Sequence, residues 1–264
     1  MALDVINVPR AALQLARTLA YPSLDVAGYM FAIHELSEGA AEAIDPRGDI
    51  ESQVEHLTDF LFHTAGFRGD TISYSDPLNS FLNEVIDRRL GIPISLTVLF
   101  VEIANRLGIP AFGIGLPGHF VAGIRYPAGT LILDPFHGGR LLSLDDCSQL
   151  VNLATGYEGP LHASWFAPTS PREILARMLN NLRASYVSET DWSDSLKVIR
   201  LLRQIQPDSP EHVRDLGLVY YHQRNISQAA HYLDVYLRLA PEAVDAQVIR
   251  NGIQRILDEW VPLN

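Results

Sequence analysis

Ser95, His119 and Asp134 stand in the order nucleophile, base and orienting acid within one stretch, Asn79 to Gly139. A hydroxyl that gives its proton to an imidazole, with a carboxylate holding the far side of the ring, is an arrangement for acyl transfer or hydrolysis. The elements that must place these groups can be read in the same stretch. From Ile92 to Leu107 apolar residues fall on nearly every side of a helix, which should therefore be buried rather than lie on a surface. Pro93 suits its first turn. Ser95 falls just inside, where free backbone N–H groups and the positive end of the helix dipole favour developing negative charge.

Gly108 and Pro110 end that helix, and strands are expected over 111–116, 119–126 and 130–134, parted by turns at Pro117–Gly118 and Pro127–Gly129. A hairpin folds its arms together, which carries His119 toward Asp134. If a three-residue turn pairs Tyr126 with Thr130, Ala122 lies opposite Asp134, and the His119 contact requires a bulge or a diagonal approach. Each residue also has a plainer use. Ser95 can bond within its own helical turn, His119 can donate to a carbonyl, and Asp134 can hold the amides of the DPFHGG turn.

Further candidates flank the three. Asn83 and Glu84 precede the buried helix, where an amide could orient a ligand carbonyl or simply hold the loop. Arg88, next to Arg89, could bind an anion, although arginines at a helix end usually meet carbonyls and solvent. His137, with Gly138 and Gly139, could line a pocket. The nine histidines show no metal-ligand spacing, and HELSE from His34 lacks the second histidine of a zinc HExxH signature, so neither a metal nor a cofactor is expected.

Composition narrows the function classes. With 47% hydrophobic and 19% charged residues the chain can bury substantial cores and is not a disordered protein. A net charge of −11, without a Lys/Arg-rich run, disfavours nucleic acid and anionic membrane surfaces as partners. The first twenty residues carry Asp4 and lack a secretory pattern, and Glu102 interrupts the longest apolar run, so neither a signal nor a membrane span is expected. The single cysteine, Cys147, fits a reducing cytoplasm and reads as a core residue.

Helical patterns up to about Gly66 should cover the central helix and sheet. A proline-bounded linker, FAPTSPREI, supplies Ser170 as an N-cap, Pro171 in the first turn and Glu173 as the capping-box acid, which places a domain boundary there: 1–168 and 169–264. Beyond it Leu182 and Leu216, Tyr186 and Tyr220, Ser195 and Ala229, Ile205 and Leu239, and Pro207 and Pro241 recur at a spacing of 34, the tetratricopeptide period. Two helix pairs and a closing helix are expected. So short an array should pack on the first domain, since about three repeats are needed to stand alone. Arg177, Asn181 and Arg214 are its candidate contacts for a partner's backbone or carboxylate.

The strings LNSFLNEV, RRLGIPISL, RLGIP, GLPGHF and ILDPF, with AYPSLDVAGY and GFRGDTISYSDPLNS upstream, resemble the SirB-type transglutaminase-like proteins, bacterial proteins with a tetratricopeptide tail. The resemblance implies an α+β fold: a transglutaminase-like, papain-like domain of helix and antiparallel sheet under a helical N-terminal cover, then an all-α tail. It maps the nucleophile to Ser95, the base to His119 and the orienting carboxylate to Asp134. Serine stands where the wider family uses cysteine. A thiol near pKa ~8.5 can be lowered to roughly 3.5–7.5 and stored as thiolate, which a hydroxyl cannot. The expected function is therefore a noncatalytic adaptor or regulatory protein that binds a protein or peptide. The alternative is a serine-dependent amidase, peptidase or acyltransferase using Ser95, His119 and Asp134.

Overall fold

The structure, a computed structural model, describes residues 6–260, with side chains as far as Ile253. The chain divides into two compact units, Met1–Met178 and Leu179–Asn264.

In the first unit, three helices precede the central elements: α1 (Val8–Leu19), α2 (Val26–Ala41) and α3 (Ile50–Thr58). Asn7, Asp25 and Asp49 begin them, each side chain accepting from N–H groups of the first turn. The last continues into a π-helical turn, Asp59–Thr64. A short parallel pair follows, β1 (Arg68–Gly69) with β2 (Leu90–Gly91), and between them lies α4 (Leu82–Arg88), stopped by Arg89 in the left-handed conformation at φ 59°. β2 runs directly into α5 (Pro93–Arg106).

The apolar girdle of α5 is buried as its composition requires. Ile94, Leu96, Leu99, Phe100 and Ile103 are each at most 2% exposed. α1 and α2 pack on this helix, and so do two strands of the main sheet. That sheet is antiparallel, β3 (Ala111–Ile114), β4 (Val121–Tyr126), β5 (Gly129–Asp134) and β6 (Arg140–Leu141), in sequential order. Val121 to Ile124 are buried without alternation because both faces are covered. On one face Ile114, Val121 and Ile132 pack with Leu142, Cys147 and Val151, the last two from α6 (Leu144–Thr155), and with Trp165 and Phe166. Alternation turns Ala122 and Ile124 the other way, toward α5.

This is the expected α+β arrangement, with the first two expected strands shorter, the third longer by one residue, and one correction in register. The β4–β5 loop holds two residues, Pro127 and Ala128, so Tyr126 pairs with Gly129 and Ala122 with Leu133 rather than Asp134. Gly129 at φ 146° makes the tighter turn possible by taking a conformation that few side chains tolerate.

α7 (Pro171–Ser188) spans the division between the units. The second unit continues with α8 (Trp192–Ile205), α9 (Pro210–His222), α10 (Ile226–Leu239) and α11 (Ala246–Trp260). α9 packs on both α8 and α10, and α11 on α10. The repeat spacing has its physical basis here. Ser195 and Ala229 are fully buried small residues, and Leu182, Leu216, Tyr186 and Tyr220 are buried at two more of the recurring pairs, whereas Leu239 is 58% exposed.

Gly217 provides a signed test. Alanine is the better helix former by about 1 kcal/mol, but a Cβ at this position would lie 2.6 Å from Leu233 Cγ and 3.1 Å from its backbone nitrogen. Leu233 is 2% exposed and cannot swing away. Gly217→Ala is expected to lower the thermal unfolding midpoint of the full chain followed by circular dichroism; a rise would show that propensity outweighs packing there.

Candidate functional site

β5 ends on Asp134, where the DPFHGG segment begins. Pro135–His137 form one 3-10 turn, in which residues three apart eclipse, so His137 folds back over Asp134. The Asp134 side chain is 1% exposed. Its Oδ1 accepts the Phe136 N–H at 3.0 Å, while Oδ2 lies 2.9 Å from His119 Nε2 and 2.7 Å from His137 Nδ1. A carboxylate can only accept, so both ring nitrogens carry their protons toward it. Burial alone would raise the Asp134 carboxyl; the hydrogen bonds and charges of His119, then of His137, together outweigh it and hold the group below the usual carboxylate range.

His119 leaves the Pro117–Gly118 turn just ahead of β4. Its backbone is fastened by Arg177, whose Nη2 donates to the carbonyls of Leu116 at 2.8 Å and His119 at 3.0 Å, with the guanidinium over the Phe120 ring. Phe136 meets the imidazoles of His119 and His137 edge to face, and Tyr74 packs on Phe136. Gly69 lets that ring come close, since a Cβ there would be 2.6 Å from it.

Ser95 faces elsewhere. It is wholly buried, and its Oγ accepts the Ile92 N–H at 3.1 Å while lying 2.8 Å from the Asn79 carbonyl and 3.1 Å from that of Ile92. Among the described residues no hydrogen bond joins it to His119. The next polar residue of α5, Thr97, donates to the Phe120 carbonyl at 3.2 Å and is also buried.

The remaining sequence candidates are placed as follows. Asn83 is 2% exposed; its Nδ2 is 3.4 Å from Glu84 Oε1, and its Oδ1 has no partner. Arg88 Nη2 approaches Asp76 at 3.5 Å and Asp70 at 3.9 Å. Arg177 is committed to the two carbonyls. Asn181 is exposed. Arg214 pairs with Asp215 at 3.0 Å and Asp245 at 2.8 Å, and Arg183 also meets Asp215.

The sequence reading passed over Asp70 and Asn79. Asn79 is fully buried and donates to Asp70 Oδ2 at 3.1 Å and to the Ser73 carbonyl at 2.8 Å, and its own carbonyl faces Ser95. Their signal was a pair of polar residues in loop strings, which spacing alone does not join. Histidine spacing likewise gave no metal motif, yet folding brings donor atoms of His119, Asp134 and His137 within 4.8 Å of one another. A cavity of about 330 Å³ is lined by other residues, among them Asn7, Thr97, Val101, Glu102, Phe120 and Ile174.

Comparison with known proteins agrees with this architecture. The family described as the transglutaminase-like superfamily matches residues 29–180. The chain belongs to the transglutaminase-like superfamily. A tetratricopeptide-repeat family matches residues 182–254. A UPF0162 protein of Xylella fastidiosa is 34% identical over 261 residues, covering 98% of this chain and 92% of the relative. The UPF0162 protein YchA of Escherichia coli is 27% identical over 248 residues, 92% of this chain and 90% of the relative. F-box only protein 21 of Homo sapiens is 28% identical over 145 residues, 51% of this chain and 22% of that protein. No described helix is long and apolar enough to cross a membrane.

Ser95→Ala removes the acceptor of the Ile92 N–H and a donor to the Asn79 carbonyl inside a buried loop junction. It is expected to destabilise the chain by about 1–3 kcal/mol, read as a lower urea midpoint; an unchanged midpoint would mean that Ser95 does not fasten the junction. A second expectation concerns acid. Because the folded-state pKa of Asp134 is depressed, its stabilisation is complete above the ordinary carboxylate value and lost as pH falls through the folded value. His119→Ala withdraws the larger lowering influence, so the acid-unfolding midpoint should move to higher pH; circular dichroism against pH reads it, and a midpoint that stays or falls would contradict the coupling.

Proposed function

We propose that the chain is a noncatalytic adaptor or regulatory protein of SirB type, which uses its transglutaminase-like pocket and tetratricopeptide tail to bind a protein or peptide. In this reading residues 1–168 form the pocket domain and 169–264 the repeat domain, and the setting is the cytoplasm. The observation that carries it is Ser95. The position mapped to the nucleophile holds a hydroxyl that is enclosed, has no hydrogen bond to His119 and is occupied by backbone groups. A nucleophile needs an accessible face toward the carbonyl it attacks and a base within hydrogen-bond reach.

Tetratricopeptide repeats are protein-interaction modules, and stacked helix pairs of this kind present extended surfaces to partners. Asn181 is the exposed member of the three tail candidates. Arg177 and Arg214 are engaged by carbonyls and carboxylates of their own chain.

The alternative, a serine-dependent hydrolase or acyltransferase, draws support from the 2.9 Å contact between His119 and Asp134. Labelling with a fluorophosphonate probe separates the two. Wild type and Ser95→Ala should label equally weakly; labelling that depends on Ser95 and His119 would establish a working nucleophile and remove the noncatalytic reading. The binding half is checked by overlaying the full chain on a peptide array. Sequence-selective retention is expected, and a flat response would count against it.

A further inference from the structure

The grouping of His119, Asp134 and His137 goes beyond the adaptor reading and does not depend on it. Two imidazole nitrogens stand 2.9 and 2.7 Å from one carboxylate oxygen. In a tetrahedral site ligands each ~2.1 Å from the ion are ~3.4 Å apart, so the three donor atoms, all within 4.8 Å of one another, need shift only slightly, each nitrogen drawing back from the carboxylate oxygen by about half an ångström. We propose that His119, Asp134 and His137 form a binding site for a divalent transition-metal ion of the zinc class.

The donor set selects the ion. Two neutral imidazoles and a carboxylate suit zinc, cobalt or iron, whereas calcium and magnesium require oxygen donors throughout. Three protein ligands leave positions open for water or for an oxygen or nitrogen donor from a bound partner.

The surroundings hold the donors in place. The carboxylate is oriented by the Phe136 N–H on its other oxygen, and the chain at His119 is tied by Arg177. Asp134 and His137 share a 3-10 turn that eclipses them, and Phe136 walls both imidazoles. His119 and Asp134 have side chains 9% and 1% exposed, but that of His137 is 49% exposed, which leaves an entry path and a ligand free to adjust.

Both ring nitrogens now donate to the same oxygen. Occupation by an ion replaces those two hydrogen bonds with coordination. For neutral rings the displaced protons move to His119 Nδ1 and His137 Nε2, so the tautomers change and no proton need be released.

The test uses the untagged full chain, titrated with zinc chloride by calorimetry and with cobalt chloride by visible absorption. Wild type should take up one ion, while calcium should give no heat. His137→Ala, at an exposed position that need not disturb folding, should weaken zinc binding by at least about tenfold. Asp134→Asn and His119→Ala should do the same where circular dichroism shows them folded. His63→Ala, an exposed histidine beside Asp59, should leave the affinity unchanged. Absence of binding, or binding that His137→Ala leaves intact, would overturn the proposal and leave the three residues as a hydrogen-bonded structural cluster.

Discussion

A carboxylate taken almost wholly out of water has to be given donors, and around Asp134 the chain supplies three. One comes from the backbone of the next turn and two from imidazoles that the sequence keeps far apart and close by, respectively. Much of the first unit can be understood from this requirement. The end of β5, the 3-10 turn, the left-handed glycines after it and the loop that brings in His119 all converge on one side chain. An isolated buried carboxylate would neutralise itself; a donor-saturated one stays charged and organises what touches it.

The second constraint is the apolar surround of α5. A helix buried on nearly every side needs covering layers, and α1, α2 and the sheet provide them. Its start is correspondingly precise. Arg89 turns the chain out of α4, β2 holds it for two residues, and the Ser95 hydroxyl closes over Ile92 and reaches the Asn79 carbonyl. The Ser95 hydroxyl fastens the junction through which the central helix enters the core.

Most of the architecture was legible because it rests on period and composition. The girdle from Ile92 to Leu107, the alternating segments around the Pro–Gly turns and the 34-residue recurrence each specify an element with little help from distant residues. What could not be read depends on single-residue geometry or on long-range partners. The hairpin register turned on whether the loop held two or three residues, a difference set by Gly129 at φ 146°. The direction of Ser95 turned on a carbonyl sixteen residues upstream. The meeting of His119 and Asp134 was anticipated from the hairpin, but the inclusion of His137 follows from a 3-10 turn whose three-residue repeat no hydrophobic pattern announces.

Cys147 gives the molecule a property of another kind. It lies at the centre of the cluster that α6 presses against the sheet, with no exposed surface. Burial first, then the negative charges of Asp146 and Asp134, pushes its thiol up to about 11. At neutral pH almost none of it is thiolate, so peroxide, disulfide exchange and alkylating agents find neither the reactive form nor a route to it. The redox state of the surroundings therefore has no handle on this chain through its sulfhydryl chemistry, and a cysteine placed at any exposed position would be the one thiol a reagent could address.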